Sequence, residues 1–229
     1  MTIDDEARAY EESRARVDEI VRHRSTDELS TIVPCCPKWT AKDLVGHLAG
    51  VLEDRRDKRL PATGFEEWTF AQVDRHRDEP IGVVLDTWAR LPVERNDDVP
   101  SLSALSFDVV THEHDLCHAL GVAGDRDTFS VEVGASRAKG RMASMLTEAG
   151  APGVRLTTEA GDELVEGAAP PIGLTTTTYG FMRLVTARVS RAQAAALAWD
   201  GDATPVLDAL FADGFFTLQP VDVIEADAS

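Results

Sequence analysis

"SFDVVTHEHDLCHALG", residues 106–121, holds three of the chain's six histidines, interleaved with three carboxylates and a cysteine. A helix advances about 100° per residue, so Asp108, His112 and Asp115, at i, i+4 and i+7, fall within an arc of roughly 60°. The apolar residues decide where that arc points. Leu102, Leu105, Val109, His112, Leu116 and Ala119 follow alternating spacings of three and four, so His112 occupies a place where an amphipathic helix buries an apolar side chain. His112 is therefore expected to face the interior, and Gly121 to end the helix. His114 and His118 also stand four apart, a spacing able to hold a metal. They project from nearly the opposite side and are expected to meet solvent or another element, with Glu113 as a surface neighbour. Cys117, about 100° on from Leu116, is expected to be a partly buried structural thiol.

The residues on either side divide the chain into two regions. Ahead of the opening stretch, a helix is expected from Asp4 to Arg22, with Ala7, Tyr10, Val17, Ile20 and Val21 on its apolar face. In "WTAKDLVGHLAGVLEDRRDKRL", residues 39–60, Thr40 and Asp43 have capping-box spacing, and Leu44, Leu48, Val51 and Leu52 form a buried stripe. His47 lies one step beside that stripe. A third helix opens at Pro80, expected at the first helical position, and carries Ile81, Val84, Leu85, Trp88 and Leu91. A fifth helix follows the opening stretch, in residues 129–150.

The composition then changes. Residues 153–167 alternate around Gly161-Asp162 like a hairpin, and residues 172–178 are a further strand candidate. Helices are expected over residues 179–188, after the Ser190/Gln193 capping box, and from Thr204-Pro205 onward. The expected class is α+β, with a helical domain over residues 1–150, a small α/β domain over 151–229, and the boundary near Glu148 to Gly153.

Forty acidic against 23 basic side chains give a net charge of −17, which opposes binding to nucleic-acid phosphates and anionic membrane surfaces. The N-terminal segment has no basic leader followed by an apolar run, and no stretch approaches the ~18 apolar residues of a membrane span, so a cytoplasmic protein is expected. Cys35, Cys36 and Cys117 are too few and too oddly placed for a disulfide framework. "PCCP", residues 34–37, has no second cysteine pair at metal spacing and is not read as a metal site.

Burying His47 and His112 with two carboxylates in an aliphatic bundle costs several kcal/mol unless each group is paired or a cation collects them. Two imidazoles and a carboxylate are the usual donors of an open zinc-type site. Hydrogen-bonded core histidines paired with Asp108 and Asp115 satisfy the same spacing, which leaves both readings open.

"WTAKDLVGHLAG", residues 39–50, followed by "DVVTHEHDLCHALG", residues 108–121, resembles the paired signatures of the mycothiol-dependent maleylpyruvate isomerase family. That family lies within the DinB-like superfamily of metal-binding helical bundles, and residues 181–202 resemble its C-terminal segment. The resemblance implies an N-terminal DinB-like four-helix bundle with a small C-terminal α/β domain. It implies a divalent metal, zinc first, held by His47, Asp108 and His112, with glutamate in the family pattern where Asp108 stands here. Asp115 is implied as the acid that orients a ligand or a metal-bound group. Arg183 and Arg188 are candidates for gripping a substrate carboxylate, although the family's G-R-R-S is Ala187-Arg188-Val189-Ser190 here and a surface arginine on a helix is an equal reading of each. Asp115, Arg183 and Arg188 are thus the catalytic candidates.

The implied function is a metal-dependent enzyme with mycothiol as cosubstrate and a small electrophile as substrate, an isomerase or a thiol S-transferase, in a monomer or homodimer. The alternatives are a non-catalytic metal-binding or regulatory module and a metal-dependent hydrolase using Asp115.

Overall fold

The Thr2 hydroxyl accepts from the Asp5 amide while the Asp5 carboxylate accepts from the Thr2 amide, and this cap starts α1 (Ile3–Val21). A computed structural model of the protein describes residues 2–59, 64–93, 102–212, 214 and 216–226. Leu60, the last residue of the second expected helix, lies outside them. A short α2 (Thr26–Leu29) and an antiparallel pair, β1 (Ile32–Val33) with β2 (Cys36–Thr40), lead into α3 (Ala41–Arg56). The expected capping box is present at the start of α3: Thr40 accepts from the Asp43 amide, and Asp43 accepts from the Thr40 amide at 3.0 Å. Next come α4 (Phe65–His76), α5 (Ile81–Ala89) and α6 (Leu102–Leu120). Pro80 stands just ahead of α5 as its cap, one place earlier than expected.

Helix α6 packs on α1 and α3, and α3 also packs on α4 and α5. Leu44, Leu48 and Leu52 of α3, Leu105, Val109 and Leu116 of α6, and Tyr10 and Val17 of α1 share one buried core. Burying each such side chain is worth about 1.5–3 kcal/mol, which makes this core the main source of the bundle's stability. Trp88 fixes α5 to α1, because its indole N–H donates to the Tyr10 hydroxyl at 2.8 Å with the rings edge to face. Arg14 of α1 donates to the carbonyls of Trp88 and Leu91 at 2.8 and 3.0 Å, which satisfies the end of α5 with a cation. Gly121 adopts a φ of +62°, the left-handed conformation that ends α6.

Two compact units divide the chain, one of Met1–Asp125 with Glu225–Ser229 and the other of Arg126–Ile224. The division thus falls before α7 (Phe129–Glu148), whereas the sequence places it after this helix. The physical reason is the packing of α7, which rests on elements of the second unit.

The second unit has a four-stranded sheet in the order β4-β3-β5-β6, built from β3 (Pro152–Thr158), β4 (Gly161–Val165), β5 (Ala169–Thr175) and β6 (Ala198–Asp200). Strands β3 and β4 form the expected hairpin, β5 runs parallel to β3, and β6 is antiparallel to β5. Helices α8 (Thr178–Val185), α9 (Arg191–Ala195) and α10 (Thr204–Leu210) complete it. Thr177 caps α8, and the Ser190/Gln193 capping box forms as expected. Within this unit α7 packs on α8, α10, β3 and β4. Among the described residues no helix is long and apolar enough to cross a membrane.

Candidate metal centre

The leucine stripe of α3 sets the phase that brings His47 to the α6 side of the bundle, and His112 takes the apolar position that its helix assigns it. Both are buried, at 4% and 6% exposure. His47 Nε2 lies 3.5 Å from Asp108 Oδ2 and His112 Nε2 lies 3.4 Å from Asp108 Oδ1, with the two rings at 88° and centroids 5.4 Å apart. One donor atom from each residue lies within 4.8 Å of the other two. In a tetrahedral site with bonds of about 2.0–2.1 Å, neighbouring donors are about 3.3 Å apart, close to the two histidine–carboxylate separations, each made to a different Asp108 oxygen.

The remaining ring nitrogens support the same reading. His47 Nδ1 lies 2.8 Å from Gln72 Oε1, and Gln72 Nε2 donates to Asp54 Oδ2 at 2.8 Å. The second bond fixes the orientation of the amide, because the Asp54 carboxylate needs a donor. Gln72 therefore presents oxygen to His47, whose Nδ1 carries a proton, so that Nε2 is the nitrogen left facing Asp108. Asp54 is in turn held by Arg75 Nη2 at 2.8 Å and Arg59 Nε at 2.7 Å. His112 Nδ1 is 3.0 Å from Asp115 Oδ2, which leaves Nε2 facing the cluster. Trp39 of β2 lies against the His47 ring, with centroids 4.8 Å apart.

The imidazole and carboxylate groups of the cluster shift one another's protonation. Burial disfavours a charged His112, but the Asp108 carboxylate, with bonds to Asp115 and Cys36, outweighs it and raises the imidazole well above its ordinary range. Desolvation likewise raises Asp108, yet His112 and then His47, by charge and hydrogen bond, hold its carboxyl well below the usual carboxylate range. The Asp108 side chain keeps 34% of its exposure and forms the wet edge of the cluster.

Three expectations for the opening stretch change. His114 and Glu113 are not at the surface: they are 2% and 1% exposed. The chain beyond α6 covers His114, since a Cβ on Gly124 would meet its Nδ1 at 2.8 Å. Glu113 is gripped by Arg16 of α1 through two bonds of 2.7 and 3.0 Å. Cys117 is fully buried instead of partly so, while His118 is half-buried. Arg183 and Arg188 belong to the second unit, and neither is a surface arginine. The Arg183 guanidinium lies 5.9 Å from the Tyr179 ring centroid, and Arg188 Nη1 donates to the Thr186 carbonyl at 2.7 Å. Sequence reasoning missed Gln72, because α4 was not read as a helix, and Cys36, which has a donor distance to His112 and Asp115.

Residues 10–79 match the family model described as mycothiol maleylpyruvate isomerase N-terminal domain. The resemblance read from the signature residues and this match agree on one family. The matched segment contains Trp39, His47 and Gln72 but ends before Asp108. Two solved structures share the fold. One is the crystal structure of the mycothiol-dependent maleylpyruvate isomerase, with a TM-score of 0.57, 14% identity, and coverage of 82% of this chain and 90% of that one. The other is a variant of that isomerase with one histidine replaced by alanine, with a TM-score of 0.57, 13% identity, and coverage of 87% and 93%. At this identity the likeness carries the fold, which is the expected helical bundle with a small α/β unit, and the chemistry has to come from the residues. No curated protein sequence matches the chain.

Proposed function

We propose that the chain is a metal-dependent enzyme that uses a low-molecular-weight thiol, mycothiol by likeness to its structural neighbours, to isomerise or conjugate a small electrophile. The observation that carries this reading is the pairing of the His47–Asp108–His112 cluster with Gln72 and Asp115, which hold the two imidazoles so that both Nε2 atoms converge. Hydrogen-bonded core histidines have no need of two outer partners that free their inner nitrogens for a common point.

His47, Asp108 and His112 would hold the ion, and zinc fits two imidazoles and a carboxylate. A divalent metal bound there lowers the pKa of a thiol, so that a thiolate is available at neutral pH. Three protein donors with Asp108 at a wet edge leave room for that thiol, which a saturated structural ion would not. Asp115 is fully buried and engaged with His112, so it orients the ring. That engagement disfavours a hydrolase in which Asp115 moves protons at the open position. A reduced cytoplasmic setting, as monomer or homodimer, fits this thiol chemistry.

Metal content and thiol affinity measured together test the reading. The purified protein is expected to hold about one divalent metal per chain. Mycothiol affinity is expected to fall when His112→Ala removes the metal. Protein without stoichiometric metal, or with unchanged thiol affinity in His112→Ala, would overturn the proposal.

A further inference from the structure

His112 belongs to two sets of donors. Besides His47 and Asp108, it joins Cys36 and Asp115: the Cys36 thiol, one His112 nitrogen and one Asp115 oxygen all lie within 4.8 Å of one another. The carboxylate of this second set lies against Nδ1, while Asp108 lies against Nε2, so the two sets approach the ring from different edges. Two of the second set's three members are buried, and Asp115 is completely so.

Cys36 is held firmly enough to take part. It opens β2 directly after the turn at Pro34-Cys35, paired with Val33, and Ile32 pairs with Thr40 at the other end of the strand. The same strand carries Trp39, which lies on His47, and ends at the Thr40 cap of α3. The Ala41 amide donates to the Thr31 carbonyl at 2.9 Å, and α6 packs on β1. A thiol on this framework is positioned by backbone pairing and not by a mobile loop, as a preorganised ligand must be. A thiolate, an imidazole and a carboxylate form the mixed set that thiophilic divalent cations accept and that magnesium or calcium does not.

We propose that Cys36, His112 and Asp115 form a second metal position, overlapping the first through His112, that takes thiophilic divalent cations. A cation there competes with the Asp115 bond that orients His112. Excess zinc or cobalt is therefore expected to disturb the first position without touching His47.

Cobalt(II) titration of the full chain distinguishes the two positions spectroscopically. Visible d–d absorption reports bound cobalt, and a near-ultraviolet thiolate-to-cobalt band reports sulfur ligation. The expected result is a thiolate band that Cys36→Ser and Cys36→Ala both lose, and that His47→Ala, Cys35→Ser and Cys117→Ser retain. Survival of the band in both Cys36 variants overturns the proposal. So does a band that His47→Ala also removes, which would put Cys36 on the first ion. Cobalt with d–d absorption and no thiolate band overturns this proposal and leaves the His47–Asp108–His112 reading standing, whereas no cobalt binding overturns both.

Discussion

The His112 ring is held between two carboxylates, with Nδ1 3.0 Å from Asp115 and Nε2 3.4 Å from Asp108. The buried acid keeps the ring in one orientation and tautomer, and the part-exposed acid shares its open edge. Asp115→Asn preserves an acceptor but removes the charge that makes the imidazole a better donor, while Asp115→Leu leaves a buried N–H unsatisfied. Metal affinity is expected to fall about 10–100-fold, more in the leucine variant, as for other partners that orient ligand histidines. Competition with a chromophoric chelator measures this, and an unchanged affinity in both variants would remove Asp115 from the site.

Proton competition gives the site a pH dependence. The His112 pKa is raised, so in the metal-free protein its stabilising contribution is present below the ordinary histidine value and is lost as pH rises through the raised one. The Asp108 pKa is lowered, so its contribution is present above the ordinary aspartate value and is lost as pH falls through the lowered one. The pair therefore helps the metal-free protein most in weakly acidic solution. Metal binding has the opposite trend, because the ion displaces the His112 proton. Affinity is expected to rise about tenfold per pH unit until that proton is gone, and a pH-independent Kd below neutrality would contradict it.

How much of this could be seen in the sequence differs by element. Helices α3 and α6 carry their own signals, since cap spacing, apolar phase and the terminal glycine are all local, and with them came His47, Asp108 and His112. Helix α4 has no such signal, because its cap is Gly64, which makes no side-chain bond, so Gln72 remained unplaced. The phase of α6 gave the side on which His114 and Glu113 project, but phase cannot say what covers a side. The chain returning at Gly124 and Arg16 of α1 cover these two residues, and both are contacts distant from them in sequence or made after the helix ends. Cys36 carries no such local signal, because the His112 and Asp115 side chains beside it come from a helix nearly eighty residues away and not from Cys35.

The close approach of α3 and α4 makes Gly50 a lever on the site. A Cβ there would lie 2.6 Å from Gln72 Cβ and 3.0 Å from Gln72 Cα, so α4 has to move backbone and all. Gly50→Ala is expected to cost about 1–3 kcal/mol of stability despite alanine's better helix propensity. It is also expected to weaken metal binding, because Gln72 is displaced from His47. Gly140→Ala meets nothing within 4 Å on an exposed helical face and serves as the control, with a gain of about 0.5–1 kcal/mol. Denaturant midpoints and chelator competition on both variants check this, and equal behaviour of the two would show that α4 does not position the site.

The Arg16–Glu113 pair joins α1 to α6 one residue beyond His112, and its carboxylate is buried. Burial raises the Glu113 pKa, with Arg16 and Ser13 opposing. Arg16→Met removes the principal opposition and leaves an uncompensated buried charge, so a loss of about 3 kcal/mol is expected at neutral pH. The sign of its pH dependence follows from the raised pKa. Glu113 contributes fully below the ordinary glutamate value, and that contribution is lost as pH rises through the folded one, which Arg16→Met moves higher still. The difference between variant and wild type is therefore expected to shrink as pH falls and Glu113 takes up a proton. Glu113→Gln placed on Arg16→Met is expected to recover much of the loss at neutral pH. Urea denaturation across pH measures all three proteins, and a stability difference that stays constant with pH would show that the buried charge is not what Arg16 neutralises.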